Sequence, residues 1–247
     1  GAGSDLASLS TKASRTDGGW LLTGQKVWTS MAKESDVGLC LARTDATVPR
    51  HEGITAFVVD MSAEGLELRP LRELTGHAIF NEVFLSDVFV SDDAVVGDVG
   101  AGWSAARTTL ANERVSMADG SSFGLGVEMV LGAVDPEDAV TVDEVGALLA
   151  EAQALSMLGI RTTLRALAGS TTPGPEASVR KLLSVEHDQR TQEVGLTLLG
   201  RAGVANDGET ASWLYGFLAN RCLTIAGGTS EIQRNIIAER LLGLPRD

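Results

Sequence analysis

A change of hydrophobic period near residue 100 divides this chain into two parts. Between residues 18 and 95, short alternating or β-branched runs recur at about ten-residue spacing and are bounded by Gly, Asp, Pro or Ser. From Gly102 onward, apolar residues follow helical spacing over longer segments, which breakers such as Asp135-Pro136 separate. Because strands precede helices without βαβ alternation, the pattern predicts a multi-domain α+β fold. We expect an antiparallel β-sandwich or barrel over residues 1–100 and an up-down helix bundle over residues 101–247.

Composition and charge exclude several function classes. The net charge of −13 would oppose binding to nucleic acid, although it says little about a small anionic ligand. No apolar run approaches the ~20 residues of a membrane-spanning helix. Cys40 and Cys222 are far apart and outside any metal spacing, which indicates a reduced, cytoplasmic chain. The three histidines are scattered, so we expect neither a metal site nor Ser-His chemistry.

Three stretches together resemble the acyl-CoA dehydrogenase family of flavoproteins. They are "GAGSDLASLSTKA" with the following "GWLLTGQKVWTSMA", then "LRELTGHAIFNEVFLSDVFVSDDAVVGDVGAGW", and finally "LTIAGGTSEIQRNIIAERLLG". They occur in the family's order and cover nearly the whole chain. The resemblance implies FAD as cofactor and α,β-dehydrogenation of an acyl-CoA, with α-proton abstraction and hydride transfer to flavin N5. Since family members carry a helical domain before the β-domain, we expect the chain to be part of a larger polypeptide.

The resemblance places the catalytic base at Glu113. In many members the base lies in the segment matching "IAGGTSE", at the position of Gly227, and glycine cannot abstract a proton. In isovaleryl- and long-chain-type members, the base precedes an arginine on an earlier helix, and "NERV" matches that pattern with Glu113 and Arg114. The resemblance thus implies Arg114 near the substrate and the Gly227 N–H on the thioester carbonyl. Alternatively, Glu113 is a solvated acid and Gly227 a loop glycine with positive φ.

The resemblance also implies a set of flavin-binding residues: Ser4, Trp28, Thr29, Ser30, Thr229 and Glu231. Trp28 would lie beside the isoalloxazine, and the hydroxyl of Ser30 or Thr29 would lie near N5. Ser4 would lie near both flavin and acyl-CoA, and the two later residues near the adenosine half. The alternatives are core packing for Trp28 and a plain helix start for Glu231, since acids favour a helix N-terminus.

One departure from the family pattern bears on assembly. Homotetrameric members carry an Arg-x-x-Phe-Gly motif that reaches a neighbour's flavin pyrophosphate, whereas this chain reads "GAVDPEDAV", with three acids there. The carboxylates would repel the two phosphate charges. We therefore expect a hetero- or homo-tetramer in which a partner chain or a fused half supplies the arginine motif. By analogy with heteromeric bacterial members, the expected substrate is a steroid side-chain CoA, and the expected acceptor an electron-transfer flavoprotein.

Two other functions are compatible with the sequence. The chain could be a non-catalytic partner subunit of such an assembly, although the missing arginine motif weakens that interpretation. It could also be an acyl-CoA oxidase-like or nitroalkane oxidase-like flavoenzyme of the same fold. The two classes differ in oxygen access to the reduced flavin, which the sequence does not report.

Overall fold

The chain forms two compact units, Gly1–Thr109 and Leu110–Asp247. The computed structural model describes residues 2–119, 125–169, 174–205 and 208–246. The first unit contains seven strands: β1 Lys12–Thr16, β2 Gly19–Ser30, β3 Val37–Arg43, β4 Ile54–Asp60, β5 Leu66–Leu71, β6 Phe80–Ser91 and β7 Val95–Val96. The second contains the end of α1, Gly102–Asp119, which begins in the first unit, and the remaining α-helices. The predicted α+β class, with strands first and helices second, is confirmed.

The strands form one sheet in the order β5-β6-β2-β1-β3-β4-β7. All strand pairs are antiparallel except β1 and β3, which pair in parallel through Lys12 and Arg43. The sheet is bent so that its two halves share one core. Trp20 on β2 contacts Phe57 on β4 edge to face, with ring centroids 5.8 Å apart, and both side chains are buried. Such closure is expected of a sandwich or barrel.

The long strand β6 pairs with β2 and β5, and its residues alternate between more and less buried, as in a strand with one face on a core. Its register with β2 shifts at two places, between Leu22 and Gly24 and between Lys26 and Thr29. Each shift is a β-bulge, which bends the strand and re-aims its side chains. The second bulge lies at the predicted flavin-binding residues.

Seven helices are described: α1 Gly102–Asp119, α2 Leu125–Ala133, α3 Ala139–Leu167, α4 Glu176–Leu199, α5 Arg201–Val204, α6 Ala211–Ala219 and α7 Ser230–Ile236. Within the second unit, α4 is central and packs against α2, α3, α6 and α7. Helices α2, α3, α4 and α6 share a core that contains Val130, Leu148, Val194 and Trp213. A π-helical turn, Ile237–Leu241, follows α7. Of the helices described, none is both long and apolar enough to cross a bilayer.

Candidate active site

The β2 bulge presents Trp28 to solvent. Trp28 has a φ of +59°, which is rare for a large side chain, and its relative exposure is 63%. Its indole is held edge to face against Phe80 on β6, at a centroid distance of 5.9 Å. The alternative that Trp28 packs in the core is therefore wrong. A strained, exposed aromatic residue on a paired strand indicates a binding surface, because such strain persists where the surrounding structure enforces it.

The two hydroxyl residues after Trp28 continue this surface. Thr29 is half-buried and pairs with Asn81, whose side-chain amide donates to the Thr29 carbonyl at 3.4 Å. Ser30 is exposed and pairs with Phe80. An exposed indole followed by an exposed hydroxyl fits a flat, hydrogen-bonding ring system such as an isoalloxazine. The donor chemistry of this strand end therefore suits FAD.

Ser4 lies at the start of the same unit, exposed, in a bend that precedes a 3-10 turn, Leu6–Ser8. Arg43 on β3 holds the segment that follows it, because its guanidinium donates to the carbonyls of Ala7, at 2.6 Å, and Leu9, at 3.2 Å. No signal in the sequence marks Arg43 for this role. Its position in a strand resembles that of any solvated arginine, and only the fold brings it to the first residues.

In the second unit, the predicted residues Gly227, Thr229 and Glu231 lie together where a glycine loop enters α7. Gly227 and Gly228 have φ values of +63° and +98°, a conformation that glycine adopts without steric cost. Thr229 is the N-cap of α7, since its hydroxyl oxygen accepts from the Ile232 N–H at 3.3 Å. The Glu231 backbone N–H and the Thr229 hydroxyl donate to the Glu231 carboxylate and lower the pKa of that carboxyl. Thr229 and Glu231 thus start the helix.

Two buried polar side chains support this loop from inside. Lys181 on α4 is 1% exposed, and its ammonium donates to the carbonyls of Leu223 and Gly228, both at 2.9 Å. Gln233 on α7 is fully buried, and its amide nitrogen donates to the carbonyls of Gly227 and Gly228, both at 3.0 Å. Neither residue was predicted from the sequence. In the sequence they are ordinary polar residues of helical segments, and no local signal indicates their burial.

Glu113 and Arg114 lie in α1. Their side chains are outside the described part of the structure, so the predicted base and its neighbouring arginine stay predictions. The described residues bring Trp28, Thr29 and Ser30 together in the first unit and Gly227, Thr229 and Glu231 together in the second.

The acidic segment at residues 135–138, where the resemblance led us to expect an arginine motif, forms local hydrogen bonds with the backbone. The Asp135 carboxylate accepts from the Glu137 N–H at 3.0 Å, and the Asp138 carboxylate accepts from the Val140 N–H at 3.1 Å. Hydrogen bonds from the Thr141 hydroxyl and the Val140 N–H lower the pKa of Asp138. Asp135 therefore forms a turn and Asp138 precedes the start of α3, where an ionised carboxylate is favoured. Among the described residues, no group of three or more His, Cys, Asp or Glu could hold a metal ion.

Comparison with known proteins gives the context of these residues. A family profile of the acyl-CoA dehydrogenase middle domain matches residues 1–88, and a profile of the C-terminal domain of that family matches residues 137–242. The chain is 53% identical over its full length to acyl-CoA dehydrogenase FadE34 of Mycobacterium tuberculosis and spans 34% of that protein. It is 38% identical over its full length to acyl-CoA dehydrogenase IpdE1 of the same organism and spans 65% of it. The chain thus spans less than two thirds of these curated relatives.

A solved structure is also similar to this chain. The Tcur3481-Tcur3483 steroid ACAD is 28% identical to this chain, with a TM-score of 0.89 over 100% of this chain and 66% of that one. The two domain profiles match in the order in which the β unit and the helical unit occur. The chain belongs to the acyl-CoA dehydrogenase family.

Proposed function

We propose that this chain carries the base and the flavin- and thioester-facing residues of an FAD-dependent acyl-CoA dehydrogenase. Gly227 carries the proposal. It stands where many family members have their base, and its positive φ belongs to a loop whose carbonyls are bound from inside. Among the described residues, the Gly227 N–H donates no hydrogen bond. This N–H can therefore donate to a ligand. Because glycine has no side chain that could abstract the α-proton of the substrate, another residue must do so, and we propose Glu113.

The chemistry divides between the cofactor and the chain. FAD, when bound, supplies the acceptor for the β-hydrogen at N5. The Glu113 carboxylate removes the α-proton, and the Gly227 N–H donates to the thioester oxygen, on which negative charge develops. Trp28, Thr29 and Ser30 would hold the flavin ring, and Arg114 would lie at the substrate. Ser4, Thr229 and Glu231 complete the proposed set of binding residues.

The Glu113 assignment can be tested without any redox step. A 3-thia-acyl-CoA has sulfur in place of the β-carbon, so it can lose its α-proton but cannot be dehydrogenated. In the full-length protein, Glu113→Gln should slow exchange of this proton with D2O by on the order of a thousandfold. Glu144→Gln, an exposed glutamate on α3, is the matched control and should exchange at the wild-type rate. Unchanged exchange in Glu113→Gln would remove this residue from the mechanism.

We also propose that the arginine motif missing here comes from a second acyl-CoA dehydrogenase half. The same stretch is about a third of FadE34 and about two thirds of IpdE1, so FadE34 is about twice as long as IpdE1. A fused second half is therefore the favoured source, and a separate partner chain is the alternative. The name of the related steroid ACAD supports a steroid side-chain CoA as substrate. An electron-transfer flavoprotein is the proposed acceptor.

The stoichiometry of bound FAD tests this assembly. If the flavin requires a second, non-equivalent half, the purified full-length protein should contain one FAD for each pair of halves. Analytical ultracentrifugation gives the molar mass, and flavin absorbance after release gives the number of bound cofactors. A homomer of equivalent units with one FAD in each would contradict the proposal.

A further inference from the structure

We propose that Lys181 and Gln233 are positioning residues that hold the Gly227 N–H in the orientation in which it receives the thioester carbonyl. This inference rests on the proposed function, because it assumes that this N–H binds the substrate. It assigns a role to two buried side chains on two helices, neither of which supplies a reacting atom.

The loop is held on both sides of the Gly227 N–H. Before it, the Ala226 N–H donates to the Cys222 carbonyl at 2.9 Å, and Lys181 holds the carbonyl of Leu223. After it, the Gly227 and Gly228 carbonyls accept three hydrogen bonds from Lys181 and Gln233. Because peptide groups are planar, the Ala226 N–H bond orients the peptide plane before the Ala226–Gly227 peptide, and the bond to the Gly227 carbonyl orients the plane after it. The Gly227 N–H, which belongs to the peptide group between these two planes, is thereby restricted in direction. Two consecutive glycines would otherwise have a wide choice of backbone conformations.

The side-chain amide of Gln233 is oriented by its partners. Both groups that it contacts are carbonyl oxygens, which only accept, so the nitrogen must face the loop. Its own oxygen, Gln233 Oε1, is buried without a hydrogen-bond partner in the described part of the chain. An unpaired buried oxygen is a free-energy cost. The two hydrogen bonds that Nε2 donates to the glycine loop offset this cost, and we assign the side chain its role through them.

Lys181 is buried at a similar cost. Taking an ammonium out of water is unfavourable unless hydrogen bonds compensate it, and here the carbonyls of Leu223 and Gly228 do so. An apolar side chain of similar length would fill the same volume without this cost. It could not donate a hydrogen bond to the Gly228 carbonyl, and the positioning role of Lys181 rests on this hydrogen bond.

A pair of ligands isolates the hydrogen bond in question. The probes are 3-thiaoctanoyl-CoA, which is a thioester, and the matching thioether, which lacks the carbonyl oxygen. Calorimetry on the FAD-loaded, full-length protein measures the dissociation constant of each. The wild type should prefer the thioester by roughly tenfold, the value of one well-oriented hydrogen bond. In Gln233→Met and in Lys181→Met, this preference should fall to about twofold or less, since the N–H is no longer held in place.

The control is Gln189→Met. Gln189 is half-buried, whereas Gln233 is fully buried, but it too donates to a backbone carbonyl, that of Asn220 at 3.0 Å, which lies outside the glycine loop. It should keep the wild-type preference. If Gln233→Met does not fold, Gln233→Asn replaces it, because the shorter side chain withdraws the donor while keeping its polarity.

The two possible failures are distinguishable. A wild-type protein with equal affinity for thioester and thioether would show that the Gly227 N–H does not bind the carbonyl, which overturns the proposed function of this residue. A wild-type preference that persists in the folded variants of both Lys181 and Gln233 would overturn the positioning role alone.

Discussion

The two units hold their candidate residues by opposite means. In the β unit, Trp28 contributes a side chain, and its unusual backbone is fixed by the strand pairing of β2 with β6 on either side of a bulge. In the helical unit, Gly227 contributes a backbone N–H, and two side chains from separate helices fix its loop. A ladder of strand hydrogen bonds supports an irregular residue without further help. A loop between helices has no such ladder, so buried polar side chains replace it.

Each unit contains a lysine that donates to backbone carbonyls, and the pair provides the largest expected difference. Lys181 is buried and has two carbonyl acceptors in or beside the glycine loop, whereas Lys26 on β2 is half-buried and donates to the Leu41 carbonyl on β3 at 2.7 Å. Lys181→Met should lower local stability by about 3 kcal/mol because it removes two hydrogen bonds from a buried ammonium, and among the described residues only the Gly228 carbonyl keeps a second donor, Gln233. Lys26→Met, which removes one, should lower it by about 1 kcal/mol.

Hydrogen exchange followed by mass spectrometry measures both effects locally. In Lys181→Met, amides of residues 223–236 should exchange about a hundredfold faster, and in Lys26→Met the amides of residues 24–43 should change by less than tenfold. Equal effects in the two variants would show that the loop does not depend on Lys181 more than the sheet depends on Lys26.

A glycine substitution in each unit gives the next largest effect. A Cβ on Gly228 would lie 2.7 Å from Gln233 Nε2, whereas a Cβ on Gly97 would meet nothing within 4 Å, and both residues have positive φ. Gly97→Ala should therefore cost about 1 kcal/mol for backbone strain alone, and Gly228→Ala about 2 to 3 kcal/mol, since it also displaces the Gln233 amide.

Thermal unfolding of the full-length variants, each compared with the wild type, tests this difference. If Gly228→Ala destabilised the protein no more than Gly97→Ala, the Gln233 side chain would move away from the added methyl group at no cost. Its hydrogen bonds would then hold the glycine loop less firmly than their distances indicate.

The sequence predicted those features that depend on local spacing. The change of period near residue 100 indicated strands before helices, and the acidic Glu231 was compatible with a plain helix start, which is where α7 begins. Both signals come from residues within a few positions of each other. Trp28 is different: its exposure depends on the register of β2 with β6, more than fifty residues away along the chain.

The hydrogen bonds from Lys181 and Gln233 to the glycine loop could not be predicted either, because they too depend on tertiary packing. Lys181 meets the Gly228 carbonyl across 47 positions of sequence, and its burial follows from the packing of α4 among its neighbours. A lysine in a helical pattern is exposed in most proteins, so its residue type indicates the wrong environment. Consecutive glycines can be recognised in the sequence as a flexible loop, whereas the sequence does not show which side chains will donate hydrogen bonds to that loop.

The smallest predicted effect concerns the pH dependence of the β unit. Burial lowers the pKa of Lys26 from its ordinary value of 10.5, with a smaller opposing influence of Cys40. Between that lowered pKa and 10.5, the unfolded chain binds a proton that the folded chain does not. Stability due to Lys26 therefore rises as the pH increases through this window. Cys40 acts in the opposite direction, since burial raises the pKa of its thiol from 9.0 and the folded chain retains a proton that the unfolded chain loses.

The two trends would partly cancel in the wild type, so the measurement belongs in a Cys40→Ala background. There, the free energy of unfolding should increase from neutral pH toward pH 10.5 relative to the Cys40→Ala/Lys26→Met double variant. Chemical denaturation at a series of pH values measures this difference. A difference that stays constant with pH would mean that Lys26 keeps its ordinary proton affinity in the folded chain. Its hydrogen bond to Leu41 would then join β2 to β3 at no electrostatic cost, unlike the buried ammonium that holds the glycine loop.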